Sequence, residues 1–132
     1  MLLIDSNILI DIWQDDPHWS ARSMATLHQH ASLHELAINL IVLAEISVRF
    51  ASRTEVEYAL ASLGISLLNI PSEAAFLAGK AFASYRKQGG TRTSLLPDFF
   101  IGAHAAVLGA TLLTRDTRRY STYFPTVPLI TP

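Results

Sequence analysis

The sequence predicts an α/β domain of three layers, built around a mainly parallel central sheet. Two observations carry this. Short apolar runs of three or four residues recur without polar alternation, as strands buried on both faces require. Longer segments of helical period lie between them, and alternating strands and helices build a parallel sheet with crossover helices. At 132 residues and 50% hydrophobic, the chain can bury a real core and is too apolar for disorder. Residues 1–132 read as one domain with no internal repeat or linker.

The elements follow in order. Leu2-Leu3-Ile4 is a buried strand, after which Ser6 or Asn7 can turn the chain and cap a helix. Ile8, Leu9, Ile12 and Trp13 form the stripe of that helix, and Asp15-Asp16-Pro17 breaks it. Residues 18–31 read as a second helix with Trp19, Met24, Leu27 and Ala31 on its apolar side. Leu36-Ala37-Ile38 is the second strand, with Asn39 as turn and cap. Residues 40–51 and Arg53 to Leu63 are helices, the latter stopped by Gly64. Ile65 to Leu68 is the third strand. Pro71-Ser72 leads into a helix from Glu73 to about Lys87, with Ala74, Leu77, Ala78, Ala81 and Tyr85 along one side. Gln88-Gly89-Gly90-Thr91 is a break that lets the 88–97 segment move. Asp98 to Leu108 is a helix ended by Gly109, and residues 111–114 are the fourth strand. Residues 117–122 make one helical turn, and Val127 to Ile130 is an edge strand that tolerates Pro128 at its start.

Composition narrows the function. The formal net charge of −1 excludes a chain that is basic throughout and binds nucleic acid by charge alone. Residues 1–17 nevertheless hold Asp5, Asp11, Asp15 and Asp16 without a Lys or Arg, while basic residues cluster late at Arg86-Lys87-Arg92 and Arg115-Arg118-Arg119. Cysteine is absent, which removes disulfides, a thiol nucleophile and thiolate metal sites and agrees with a reducing cytoplasm. The N-terminus has no basic n-region. The longest apolar stretch, Leu95 to Thr114, is interrupted by Asp98 and His104, so no membrane span is expected.

Four acidic residues are the candidates for chemistry. Asp5 closes the first strand, Asp116 follows the fourth, Asp98 opens a helix after Pro97, and Glu45 sits within the apolar stretch 40–46. Burying an isolated charge costs several kcal/mol or more, and a shared hard cation is the simplest compensation. Parallel sheets present their sites beyond the carboxyl ends of the strands, where Asp5 and Asp116 fall. Each residue also has an ordinary reading: Asp5 and Asp98 as helix caps, Glu45 as a solvated helix residue, Asp116 as a turn residue.

The motifs resemble those of the PIN-domain family, specifically toxin ribonucleases of the VapC type. Leu2-Leu3-Ile4-Asp5-Ser6-Asn7 resembles the family's first motif, Ala44-Glu45 its helical Glu, Leu96-Pro97-Asp98 to Ala105 its third acidic motif, and Leu113-Thr114-Arg115-Asp116 its fourth. The resemblance spans essentially the whole chain. It implies a PIN-like α/β/α domain and a Mg²⁺-dependent endoribonuclease, with Mn²⁺ as an alternative ion. It also implies an RNA substrate, a cognate antitoxin and a homodimer. Asp5, Glu45, Asp98 and Asp116 become the catalytic set, with Asp5, Asp98 and Asp116 as metal ligands. Asn7 and Thr114 become the groups that orient the carboxylates, and Arg92 and Arg115 candidate phosphate contacts. One departure is Thr117-Arg118-Arg119-Tyr120, where many relatives carry Asn or Asp near the rim.

Other residues read as structural. His28 and His30 point apart on a helix, and His34 lies past its end, which argues against zinc. His104 reads as a packed histidine, and Trp13 and Trp19 as core or partner-surface residues. Gly89-Gly90 lacks the flanks of a phosphate-cradling loop. A phosphatase with Asp5 as nucleophile would want a second Asp at position 7, where Asn7 stands. A PIN-like RNA- or protein-binding module of weak or lost activity is the remaining alternative. Trp19, Leu27, Leu33, Leu36, Val48, Phe50 and Leu60 add up to more apolar surface than a small sheet covers, so self-association through the early helices is expected.

Overall fold

In the computed structural model, residues 1–93 and 96–132 are described. The first residue of the 95–114 apolar run and part of the 88–97 segment therefore lie outside the described residues. The chain runs β1 (Leu2–Ile4), α1 (Ser6–Trp13), α2 (Ser20–Ala31), β2 (Leu36–Asn39), α3 (Leu40–Ser47), α4 (Arg53–Ser62), β3 (Ile65–Leu68), α5 (Ser72–Lys87), α6 (Pro97–Leu108), β4 (Thr111–Leu113), α7 (Thr117–Tyr123) and β5 (Leu129–Ile130). The strands lie in the order β3-β2-β1-β4-β5 and every pairing is parallel. Helices cover both faces, which gives the expected three-layer α/β/α architecture.

Sheet topology positions the site. The chain steps outward from β1 through β2 to β3, then crosses back to place β4 on the other side of β1. Helices leave on opposite faces at such a reversal, so a crevice opens beyond the carboxyl ends of β1 and β4. Leu2, Leu3 and Ile4 are fully buried, which explains the unbroken apolar run of β1. Ile4 pairs with Leu113, and the Asp5 amide donates to the Leu113 carbonyl at 2.9 Å, so Asp5 and Thr114 emerge side by side.

Local signals place most helix ends. Asn39 caps α3 by accepting from the amides of Ile41 and Val42, both at 3.0 Å. Ser52 caps α4 through the Glu55 amide. Gly109 ends α6 in the left-handed region, at φ 65°. Gly102 lies against the Phe124 ring, where any side chain would collide, so α6 reaches its neighbour only with glycine there.

Some expectations are corrected. Of the caps read for α1, the structure selects Asp5 over Ser6 and Asn7: its carboxylate accepts from the Ser6 amide at 2.7 Å. Asp16 accepts from the amides of His18 and Trp19 at 2.8 Å and holds a turn there, so α2 begins at Ser20, not at 18. Its inward face is Ser23 and Leu27, while Met24 and Ala31 are exposed. The third helix ends at Ser47, and only Leu129 and Ile130 of the 127–130 segment pair as a strand. Leu27, Leu36 and Leu60, read as surplus surface, belong to the core. Leu33 and Val48 do stand out, at 71% and 87% exposure. Among the described residues no helix is long and apolar enough to cross a membrane.

Candidate active site

Asp5 lies at the centre of the rim. It is 3% exposed, and its carboxylate is ringed by donors. One oxygen takes the Ser6 amide. The other takes the Thr114 hydroxyl at 2.8 Å, the Tyr120 hydroxyl at 3.1 Å and the Asn7 amide nitrogen at 3.4 Å. Thr114 is itself fixed, because its oxygen accepts from the Asp116 amide at 3.0 Å. Asn7 also accepts from the Arg115 amide at 3.3 Å, which ties the start of α1 to the loop after β4.

The other carboxylates stand around this centre. Glu45, on α3, accepts from the Ser6 hydroxyl at 3.0 Å. Asp98, in the first turn of α6, accepts from Arg119 at 2.9 Å. Asp116 precedes α7 and is exposed. The fully buried Tyr120 hydroxyl lies within the field of Asp5, Asp98 and Asp116 together. Burial and those three charges hold its pKa far above the usual phenol value, so it remains a donor.

These carboxylates feel one another. Burial pushes the Asp5 carboxyl up to about 6 from an ordinary 3.8, and the charge of Asp98 adds to the rise against the pull of the Thr114 and Tyr120 hydroxyls. Burial likewise raises Glu45, with Asp5 and Asp98 contributing and the Ser6 hydroxyl opposing. Asp98 is raised by burial and by Asp116, while Arg119 pulls it down. The rim is therefore short of positive charge, and Arg119 supplies part of it.

The donor set is all oxygen, the kind a hard cation takes, and a cation would relieve the burial and mutual repulsion that raise Asp5, Glu45 and Asp98. As they stand, no three acidic or histidine side chains among the described residues are close enough together to hold an ion. Asp5, Glu45 and Asp98 are each turned toward a protein donor instead. Ligation through the Asp98 oxygen that Arg119 occupies would displace the arginine.

The remaining candidates separate. Arg115 is turned inward: its Nε and Nη2 grip the buried Asp11 at 2.7 and 2.9 Å, and its guanidinium lies 4.9 Å from the Trp19 ring. A phosphate would have to compete with that pair. The Arg92 amide donates to the Tyr85 hydroxyl at 3.3 Å and its carbonyl accepts from Arg86, which places it on the loop after α5. His104 is buried against Asn39, Nδ1 to Nδ2 at 3.2 Å, and burial lowers its pKa, so it is a neutral packed histidine. Trp13 packs edge-on against Phe50, and Trp19 lies between Arg22 and Arg115.

Four partners at the rim escaped the sequence reading: Ser6 on Glu45, Tyr120 on Asp5, Arg119 on Asp98 and Asp11 on Arg115. A signal existed for Asp11, a charge between Ile10 and Ile12 on an otherwise apolar helix. Tyr120 had a weaker one, as the aromatic residue in the polar run 117–122.

Solved structures share this fold. No curated protein matches the chain significantly by sequence. Among solved structures, the fold is similar to a chain of the VapBC2 complex of Rickettsia felis bound to promoter DNA, with TM-score 0.76, 19% identity, and 99% of this chain and 98% of that one covered. It is similar to a chain of a toxin–antitoxin complex from Klebsiella pneumoniae, with TM-score 0.72, 24% identity, and 100% and 98% covered. VapBC-1 from nontypeable Haemophilus influenzae gives TM-score 0.73 and 19% identity, with 98% and 96% covered. The family model of the PIN domain matches residues 2–125, nearly the whole length, and the chain is a member of the PIN-domain family.

Proposed function

We propose that this protein is a divalent-cation-dependent endoribonuclease, the toxin of a toxin–antitoxin pair. The observation that carries the reading is the set of electrostatically coupled carboxylates, Asp5, Glu45, Asp98 and Asp116, at the switch in strand order. In this reading Asp5 and Asp98 hold the ion, Asp116 assists directly or through water, and Glu45 ligates or holds the attacking water. Thr114 and Asn7 keep the Asp5 carboxylate in one orientation. Mg²⁺ or Mn²⁺, when bound, supplies the Lewis acidity that lowers the pKa of water and neutralises charge on phosphate. Tyr120 stays protonated and keeps its hydroxyl on Asp5 throughout.

Cleavage of total RNA tests this. Activity is expected with Mg²⁺ or Mn²⁺ and none in EDTA. Asp98→Asn should lower it by about two orders of magnitude or more, the scale of losing a key electrostatic group. Undiminished cleavage in EDTA would end the reading.

A second reading has its own support. The Arg119–Asp98 pair and the absence of a compact three-ligand cluster among the described residues favour a PIN-like binding module of weak or no activity. RNA binding without cleavage at any divalent-ion concentration would select it.

A cognate antitoxin belongs to the leading reading, because the similar structures named above include a toxin–antitoxin complex, and self-association belongs to it because Leu33 and Val48 stand exposed. An apolar groove of about 530 Å³ between α3 and α4, lined among others by Leu40, Leu43, Phe50, Val56, Leu60 and Leu67, would suit a partner's apolar segment. An Arg or Lys of that partner would meet the acidic rim. Co-purification with such a protein, and recovery of nuclease activity after its digestion, is the expected result. A complex that cleaves as fast as the free protein would exclude inhibition.

A further inference from the structure

A pocket of about 480 Å³ opens beside the acidic rim, lined by Tyr85, Asp116, Arg118, Arg119, Thr122 and Tyr123. We propose that it seats one nucleotide of an RNA strand, its base against the tyrosine rings and its phosphate against Arg118. The inference rests on the nuclease reading only for which nucleotide this is: the one next to the bond that is cut.

The walls are of two kinds. Tyr85 and Tyr123 meet edge to face, with centroids 6.1 Å apart. Both are backed by Phe99, at 5.7 and 5.4 Å, and Tyr85 also by Phe82. Their hydroxyls are engaged as well. That of Tyr85 accepts from the Arg92 amide, and that of Tyr123 donates to the Gln88 side chain, both at 3.3 Å. The rings are thus held before any ligand arrives, and little side-chain freedom remains to be lost on binding. An aromatic surface stacks any nucleobase, which suits single-stranded RNA.

The charged wall sets the ligand's sign. Two arginines, Arg118 and Arg119, stand on this wall beside Asp116. Arg119 is already paired with Asp98 at 2.9 Å, which leaves Arg118 as the arginine exposed to a phosphate. That same pair makes the pocket continuous with the rim: Arg119 borders the pocket and touches a rim carboxylate, and Asp116 belongs to both. A nucleotide seated here would direct its neighbouring phosphodiester toward Asp98. An acidic peptide would use the arginines and leave the tyrosines without a role.

The test is a metal-free titration of the full chain in EDTA with AMP, GMP, CMP, UMP and, separately, inorganic phosphate. At least one nucleotide should bind about tenfold tighter than phosphate, as a single base–aromatic stack allows. Tyr123→Leu should bring that nucleotide down to the phosphate level without changing phosphate binding. Arg118→Gln, an exposed position that does not threaten the fold, should weaken both ligands. Equal affinity for nucleotide and phosphate, or affinities unchanged in both variants, would overturn the proposal. The titration needs no cleavage. Nucleotide binding by a protein that never cuts RNA would keep the pocket and remove the nuclease reading, and cleavage without nucleotide binding would do the reverse.

Discussion

Replacing Asp5 by Asn should make the metal-free protein more stable at neutral pH. The carboxyl is 3% exposed and its pKa stands at about 6 in the fold against 3.8 ordinarily. Burial therefore outweighs the hydrogen bonds from Thr114, Tyr120 and Ser6, and the charged form opposes folding. A raised acid pKa means that the folded state binds the proton more tightly than the unfolded chain. Stability is then highest below about 3.8, falls as the pH rises toward about 6, and levels off above it. The difference of about 2.2 (about 6 minus 3.8) corresponds to about 3 kcal/mol at neutral pH. Asparagine carries no charge and should recover part of this, with its amide nitrogen facing the Thr114 and Tyr120 hydroxyls, which can turn to accept. For a chain of this length the whole difference is roughly 10 °C in Tm. The assay is denaturant unfolding of both proteins in EDTA at about pH 8 and about pH 4. The advantage of the variant should be large at the higher pH and nearly gone at the lower. A variant less stable than the parent at both would refute the reasoning, because the hydrogen bonds to the carboxylate would then outweigh its burial. Excess Mg²⁺ should narrow the gap by stabilising the parent alone.

Asn39→Ala removes the cap of α3 and the buried partner of His104 together, and should cost about 2 kcal/mol in chemical denaturation. Gly102→Ala drives a methyl group into the Phe124 ring and should lose about 1–3 kcal/mol in the same assay, through overpacking. Asp11→Ala removes the partner of Arg115, whose guanidinium can still turn to solvent, and should destabilise by about 1.5–2 kcal/mol, while the conservative Arg115→Lys keeps charge but loses the two-point grip and should cost less. Light scattering at micromolar concentration should give a mass above that of a monomer, in keeping with the exposed Leu33 and Val48, and a monomer mass would count against pairing.

The elements of this fold were legible because their signals are local. Leu2-Leu3-Ile4 has no polar residue to offer solvent and can only be a buried strand. Asn39 precedes an apolar helix, where a side-chain acceptor meets free amides, and Gly109 stands where the backbone must turn left-handed. The ends that were misread are those where a side chain acts across a short turn, as Asp16 does on His18 and Trp19. The acidic positions were legible for a related reason: charge amid apolar strands and helices stands out without any knowledge of what surrounds it.

By itself, then, the sequence determined the alternation of strands and helices, hence the three-layer architecture, and the identity of the acidic side chains at the strand and helix ends. Only the tertiary structure decided what those side chains touch. Ser6 reaches Glu45 across 39 residues, Arg119 reaches Asp98 across 21, and Tyr120 reaches Asp5 across 115. Such partners are chosen by how helices pack over a sheet and not by local propensity. The same packing took Leu27, Leu36 and Leu60 inward while leaving Val48 outside, although all four are apolar. The balance of burial against hydrogen bonding that holds Asp5 near 6 is likewise set by these long-range contacts, because desolvation depends on everything folded around a group and not on its neighbours in the chain.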